Sequence, residues 1–261
     1  MSSNNLEKDF NLGGSVERAL KGDYKLNIVE IFNEAFKITV KHFFSFTPAI
    51  VIMVFVQAII FYIALKLQVP DLTVYLDAFK DPNLLTPNLV WSFFIANFTY
   101  EVISVPIYAG VSLMAMSHAA GLATGTGFIT KGLQFTTSLI LVTIANLLIQ
   151  AISSHLISLL SIYFSIAFSH SILLICEKRM SILQSLMVSL KATNRKLLPL
   201  FGIYIICSAL FILGFVFYGI GLIFVLPFFL HVKGILYRNM FGIKLTIVTT
   251  SKDNETKVFN A

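Results

Sequence analysis

The basic residues of this chain are arranged around six long apolar stretches, and that arrangement leaves little open except a bundle that crosses a membrane six times. The stretches lie at roughly 45–67, 89–116, 135–153, 155–176, 197–217 and 219–240. A bilayer core takes about 20 apolar residues per helix, so a chain of 261 residues accommodates six spans, short connections and two tails. Of the 19 Lys and Arg residues, only Lys66 and Lys80 fall on the far side, and the rest, Lys233 and Arg238 among them, go to the side of the N-terminus. Cytoplasmic segments are the ones enriched in Lys and Arg, so both termini are predicted to be cytoplasmic.

Composition agrees. With 57% hydrophobic residues, 12% charged and a mean hydropathy of +0.84, the chain is far from a soluble domain, whose charged fraction is about 25%. Six spans leave no length for a soluble catalytic domain. The net charge of +6 flanks the spans instead of forming one patch, which argues for anionic phospholipid headgroups as partner and against nucleic acid. Cys176 and Cys207 lie in or at the cytoplasmic end of apolar segments and are expected as free thiols. The first 44 residues lack a compact apolar region before a small-residue cleavage site, so span one is expected to be an uncleaved anchor.

Residues 1–22 are polar, contain glycine and read as a mobile cytoplasmic tail; 243–261 read as a polar cytoplasmic C-terminal tail, with a single six-span domain over 23–242. The stretch 26–44 differs, because Ile28, Phe32, Ala35, Phe36, Val40 and Phe43 recur at three and four with Glu30, Glu34, Lys37 and Lys41 opposite. That is an amphipathic interfacial helix leading into span one. It recurs 154 residues later, where Ile182, Leu186, Leu190, Lys191, Thr193 and Arg195 match Ile28, Phe32, Phe36, Lys37, Thr39 and Lys41 without gaps. A weaker third instance is 127–135. The fold class expected is therefore an all-α integral membrane protein: six transmembrane helices in three hairpins, each preceded by a cytoplasmic interfacial amphipathic helix. Spans three and four are expected to turn tightly near Gln150–His155, spans five and six near Tyr218–Gly221, and the outer loop 66–88 has room for a short surface helix.

Glu101 is the one acidic residue placed inside a span, at a depth that depends on where span two begins, and Pro106 follows it. Span four carries Ser154, Ser158, Ser161, Ser165 and Ser169 at spacings of four, three, four and four, so they share one face; such a face suits helix packing or lines a cavity with Asn146 and Gln150. Glu101, Asn146, Ser158, Ser161 and Ser165 form the candidate intramembrane polar site. Lys37 with Lys41, and Lys191 with Arg195, are the candidate lipid headgroup contacts, each pair four apart on one helix face. His42, His118, His155, His170 and His231 are scattered at span ends without ligand spacing, so no metal is expected. HExxH, GxSxG, Walker A and CxxC patterns are missing, and no catalytic residue or cofactor is assigned.

The segment 173–206 carries Glu177 and Lys178 at the end of a span, then Ser181, Ser185, Ser189, Lys191, Asn194 and Arg195 on a short helix before a new span. Together with Tyr237-Arg238-Asn239-Met240-Phe241-Gly242 at the end of span six, this resembles the YciC-like bacterial inner-membrane proteins, most closely over the last third of the chain. The resemblance implies a bacterial cytoplasmic-membrane location and six helices, and supplies no catalytic residues. The N-terminal tail is longer than that family's. The function expected is a non-enzymatic one in envelope or lipid homeostasis, or in interaction with other membrane proteins or a second copy of the chain. The alternative is a small transporter or channel using Glu101 and the serine face. A reporter active only in the cytoplasm should work when fused after Ala261 or within 178–196 and stay silent within 71–87; activity from that loop contradicts the topology.

Overall fold

The computed structural model describes residues 6–216, 219–249 and 256–260. In chain order the elements are β1 (Leu6–Leu12), α1 (Val16–Lys21), α2 (Ile28–Gln68), α3 (Thr73–Lys80), α4 (Pro87–Ala119), α5 (Thr136–Leu156), α6 (Ser158–Ala167), α7 (Ser171–Lys178), α8 (Ile182–Arg195), α9 (Leu197–Val216), α10 (Leu222–Phe241), β2 (Ile243–Thr249) and β3 (Thr256–Asn260). Short 3-10 segments occupy Pro82–Leu84 and Thr126–Phe135. Six of the helical stretches are long and apolar enough to cross a membrane: Ile28–Gln68, Pro87–Ala119, Thr126–Leu156, Ser158–Lys178, Leu197–Val216 and Leu222–Phe241. The protein is a mostly helical, multi-pass membrane protein.

The first interfacial helix is not a separate element. Asn27 caps α2, its side chain accepting from the Val29 and Glu30 amides, and the helix then runs 41 residues to Gln68 through Pro48. At 1.5 Å per residue that is about 61 Å, twice a bilayer core, so its first turns project beyond the membrane. No Gly or Pro interrupts it before Pro48, which removes one backbone donor only. The repeated segment starts at the matching residue, Ile182, but α8 stops at Arg195 with Lys196 out of helical geometry. Pro199 explains the stop: its ring would clash with the Arg195 carbonyl and it has no N–H to offer it.

Of the two turns expected, the first lies elsewhere and the second lies where expected. Helix α5 continues through Gln150–His155, and the chain breaks at Ile157, an extended residue between α5 and α6. Ser153, Ser154 and His155 each bond a carbonyl of the preceding turn, which extends the helix they were expected to end. Span four is then interrupted at Phe168–His170 between α6 and α7. The second turn uses Gly219, at φ 77°, where a side chain would be strained; Tyr218 of that expectation lies outside the described residues. The loop after α2 does contain a surface helix, α3.

The stretches expected as tails carry regular structure. Strand β2 pairs antiparallel with β1 on one side (Leu12 with Ile243) and with β3 on the other (Leu245 with Asn260). The signal was a short alternation, buried Ile243 and Leu245 about exposed Lys244, hidden in a polar composition. The β1–β2 pairing also brings the two ends of the chain to one end of the bundle. Residues 1–5, 250–255 and 261 lie outside the described residues. Helix α1 docks on α8, where Arg195 Nε donates to the Leu20 carbonyl and the Tyr24 hydroxyl to the Ala192 carbonyl. Burial pushes the Tyr24 phenol up to about 12, so it stays a donor.

Helix α10 is the axis of the core, packed against α2, α4 and α9 with Ile235, Leu236, Tyr237, Met240 and Phe241 fully buried. Gly234 permits its approach to α4: a Cβ there would stand 2.7 Å from the Ala115 carbonyl. Its C-terminal end is clamped by Arg238, which donates to both carboxylate oxygens of Glu34 (2.6 and 2.8 Å) and to the Ala119 carbonyl (2.8 Å), joining α10, α2 and α4.

Candidate functional site

Glu101 is the fifteenth of the 33 residues of α4, about 21 Å along the helix from its start. It accepts a hydrogen bond from Asn97 (3.2 Å) one turn before it and faces a cavity of about 390 Å³. Two turns on, Tyr108 shares that face. Helix α5 contributes Thr143, Asn146 and Gln150, with Gln150 donating to Asn146 (3.0 Å); α6 and the break after it contribute Ser165 and Ser169. Tyr204 of α9 and Lys233 of α10 complete the polar lining.

The structure thus brings together Glu101, Asn146 and Ser165 of the candidate site. It separates the other two. Because the chain breaks at Ile157, Ser154 belongs to α5 and the serine row is not one face. Ser161 lines an adjoining groove of about 630 Å³ between α6 and α9, and gives its proton to the Ser158 carbonyl; Ser158 lines neither space. Groove and cavity share Gln150, Ser165 and Tyr204, and the exposed Ile162, Ile205 and Ile212 flank the groove.

Lys233 corrects the charge count made from sequence. It is not a flanking cytoplasmic charge but the twelfth of the 20 residues of α10, facing the cavity. Its ammonium donates to the Tyr108 hydroxyl (2.6 Å) and lies 5.2 and 5.9 Å from the Tyr108 and Phe229 ring centres. Among the described residues no carboxylate stands within ion-pairing distance of it. Three hydroxyls of the lining, on Thr143, Ser169 and Tyr204, are buried and close no hydrogen bond, although those of Ser169 and Tyr204 lie near one another. The enclosure thus combines one ammonium, which can only donate, with three hydroxyls that can donate or accept. Sequence reasoning missed Lys233 because a basic residue within ten of a span end reads as a topology signal; the face it occupies depends on helix packing.

A second polar centre lies between α2, α4 and α10. Three of the five histidines meet there: His118 Nδ1 is 3.0 Å from His231 Nε2, and the His42 ring stacks on that of His118 at 4.0 Å. The hydrogen-bond direction follows from Thr39, which donates to the Ala35 carbonyl (2.7 Å) and so accepts from His231 Nδ1 (2.9 Å). His231 Nε2 then accepts from His118 Nδ1, and His118 Nε2 accepts from the Thr124 hydroxyl (2.8 Å). Both rings are neutral in this chain, each with one donor and one acceptor. Their nitrogens are occupied by one another, and among the described residues no group of three or more His, Cys, Asp or Glu could hold a metal. Cys176 and Cys207 are free and buried. The headgroup candidates Lys37, Lys41 and Lys191 are exposed; Arg195 is exposed but partly engaged by Leu20.

No protein-family model, curated protein or solved structure matches this chain.

The chain of bonds makes Thr39 a stability determinant. Thr39→Val removes the acceptor of a buried N–H at nearly constant shape, an expected cost of about 1–3 kcal/mol, read as a lowered melting temperature in nanodiscs. An unchanged melting temperature contradicts the assigned direction of the chain.

Proposed function

We propose that this is a non-enzymatic multi-pass protein of a bacterial cytoplasmic membrane that binds and passes a small solute through the cavity between α4, α5, α6, α9 and α10. The observation that carries this reading is a set of incompletely bonded polar groups within the bundle: Lys233 and the hydroxyls of Thr143, Ser169 and Tyr204 around about 390 Å³ of space. Polar and ionisable groups inside hydrocarbon are costly, and they are found where they face a pathway or a partner. A volume near 390 Å³ lies within the range of small-molecule sites. Helix packing explains the serines but not an ammonium whose partner is a single phenol.

Cytoplasmic termini are supported by the basic bias of one set of connections, and the pairing of β1 with β2 agrees with an even number of crossings. A three-hairpin plan is supported by the packing of α2 on α4, α5 on α6 and α9 on α10. Membership of a YciC-like group rests on the residues of the last third alone.

A purified sample in nanodiscs, screened by thermal shift against amino acids, organic acids, sugars, polyamines and nucleosides, should show stabilisation by at least one class. Ser165→Trp, which fills the cavity mouth, should abolish that shift. No stabilisation by any class contradicts the reading.

Anionic phospholipid is the surface partner in this proposal. Exposed Lys37 and Lys41 alternate with exposed Phe36, Val40 and Phe44 on the projecting part of α2, which suits charges among headgroups and rings below them. Changing Lys37, Lys41, Lys191 and Arg195 to Gln removes at most about 4 kcal/mol of attraction, at about 1 kcal/mol per charge. Phosphatidylglycerol and cardiolipin retained through purification should fall; an unchanged lipid profile makes these residues topology signals only.

A further inference from the structure

We infer that the ligand of the cavity is a monocarboxylate and that it binds together with one proton, which goes to Glu101. The inference rests on the solute-binding reading above and adds the chemical class and the coupling.

The argument is a charge count. The cavity holds one permanent cation, Lys233, and one titratable acid, Glu101, and they make no ion pair with each other. Seven residues of α4 separate Glu101 from Tyr108, about 10 Å along one helix face, and Lys233 is bonded to Tyr108, so the two charges sit toward opposite ends of the space. The empty site is neutral when both are ionised. At the Lys233 end the ammonium can only donate, and the hydroxyls of Ser169 and Tyr204 can donate as well as accept. A carboxylate, with two oxygens and four lone-pair sites, pairs the ammonium and accepts from those hydroxyls, whereas an ammonium ligand would be repelled by Lys233 and a neutral sugar would leave its charge unpaired.

A bound monoanion leaves the cavity with a net charge of −1. In hydrocarbon an uncompensated charge is the least favourable state, so Glu101 takes a proton from water and the occupied site is neutral again. A dianion such as sulfate would leave one charge uncompensated even then, which selects a monocarboxylate over it. The titratable and charged groups facing Glu101 are Tyr100 and Tyr108 from its own helix, Lys233 from α10 and Tyr204 from α9. Helix α2 presents Gln57, α5 presents Thr143, Asn146 and Gln150, and α6 and the break after it present Ser165 and Ser169, none of which titrates. His170, beyond the lining, is buried against Tyr237 and Phe241 with both ring nitrogens unpartnered among the described residues, and it lies close enough to Lys233 for the two to repel when both are charged. Glu101 is therefore the acid that responds.

Linkage makes the effect reciprocal. The anion raises the proton affinity of Glu101, so binding is strongest when the acid is protonated and weakens as pH rises through the pKa of the occupied site, by up to about tenfold per pH unit. The carboxylate has two sources. A water-borne acid fits the cavity alone, whereas a fatty acid would also lay its chain in the groove past Ile162, Ile205 and Ile212.

The test uses the full chain in nanodiscs, with lactate and decanoate as probes and sulfate as control, at pH 6 and pH 8. A carboxylate should bind more tightly at pH 6, by up to about 100-fold, with uptake approaching one proton per anion measured by an indicator dye. Glu101→Gln should bind with no proton uptake and equal affinity at both pH values; Lys233→Gln should lose binding. Lactate binding identifies an aqueous source and decanoate alone a bilayer source, and either supports the inference. Carboxylate binding to the wild type without proton uptake overturns it and needs no variant to fold. Binding only of a neutral or cationic compound overturns it while leaving the solute reading intact; no binding by any compound overturns both.

Discussion

A charge inside hydrocarbon has to be compensated, and the structure meets that demand for its deep ionisable groups unequally. Glu177, with its side chain almost wholly buried, accepts from the Tyr237 hydroxyl and the Lys244 amide and pairs with Lys178. Arg238 is held by both oxygens of Glu34 and by a carbonyl of α4. Both settle the C-terminal end of α10, one against α7 and the start of β2, the other against α2 and α4. Lys233, one and a half turns nearer the middle of the same helix, has a single phenol. A protein that completes the shells of Glu177 and Arg238 and leaves that of Lys233 open has a place for an acceptor that is not part of the chain.

What surrounds Lys233 is consistent with this. The interruption before α7 replaces a continuous fourth span by two short pieces, α6 and α7, and Phe168 and Ser169 at that interruption line the polar space. Non-helical backbone at membrane depth is tolerated where it is enclosed by protein or borders a cavity. Glu101, at the other end, has only Asn97 to bond it. The two ends of the cavity are thus chemically distinct, one rich in donors and one able to gain or lose a proton.

Much of the architecture was legible from residue order. The apolar stretches marked the six spans, and the match of Ile28 with Ile182 marked two helix starts, because N-terminal caps and amphipathic spacing are local properties. The continuation of α2 and the stop of α8 differ through Pro199, which the sequence contains but whose effect on an aligned repeat was not drawn. The serine row failed for another reason: a row of residues at helical spacing is a face only if the helix is unbroken, and Ile157 breaks it. Lys233 and the trio His42, His118 and His231 could not be read at all, since both depend on which faces of helices far apart in sequence meet. The pairing of β1 with β2 was hidden by its shortness and by its Lys and Asp content.

The claim on which the account depends is that the space beside Lys233 is polar and reached by water within the membrane. Cysteine accessibility measures this directly. Asn146 lines the cavity, whereas Leu148, two residues on along α5, is exposed on the outside of the bundle. With Cys176 and Cys207 replaced by Ser, Asn146→Cys should react with a small hydrophilic thiol reagent and Leu148→Cys should not, because a thiol in lipid stays protonated and unreactive. Equal reactivity of the two, or none at Asn146→Cys in a folded sample, would contradict a hydrated intramembrane site.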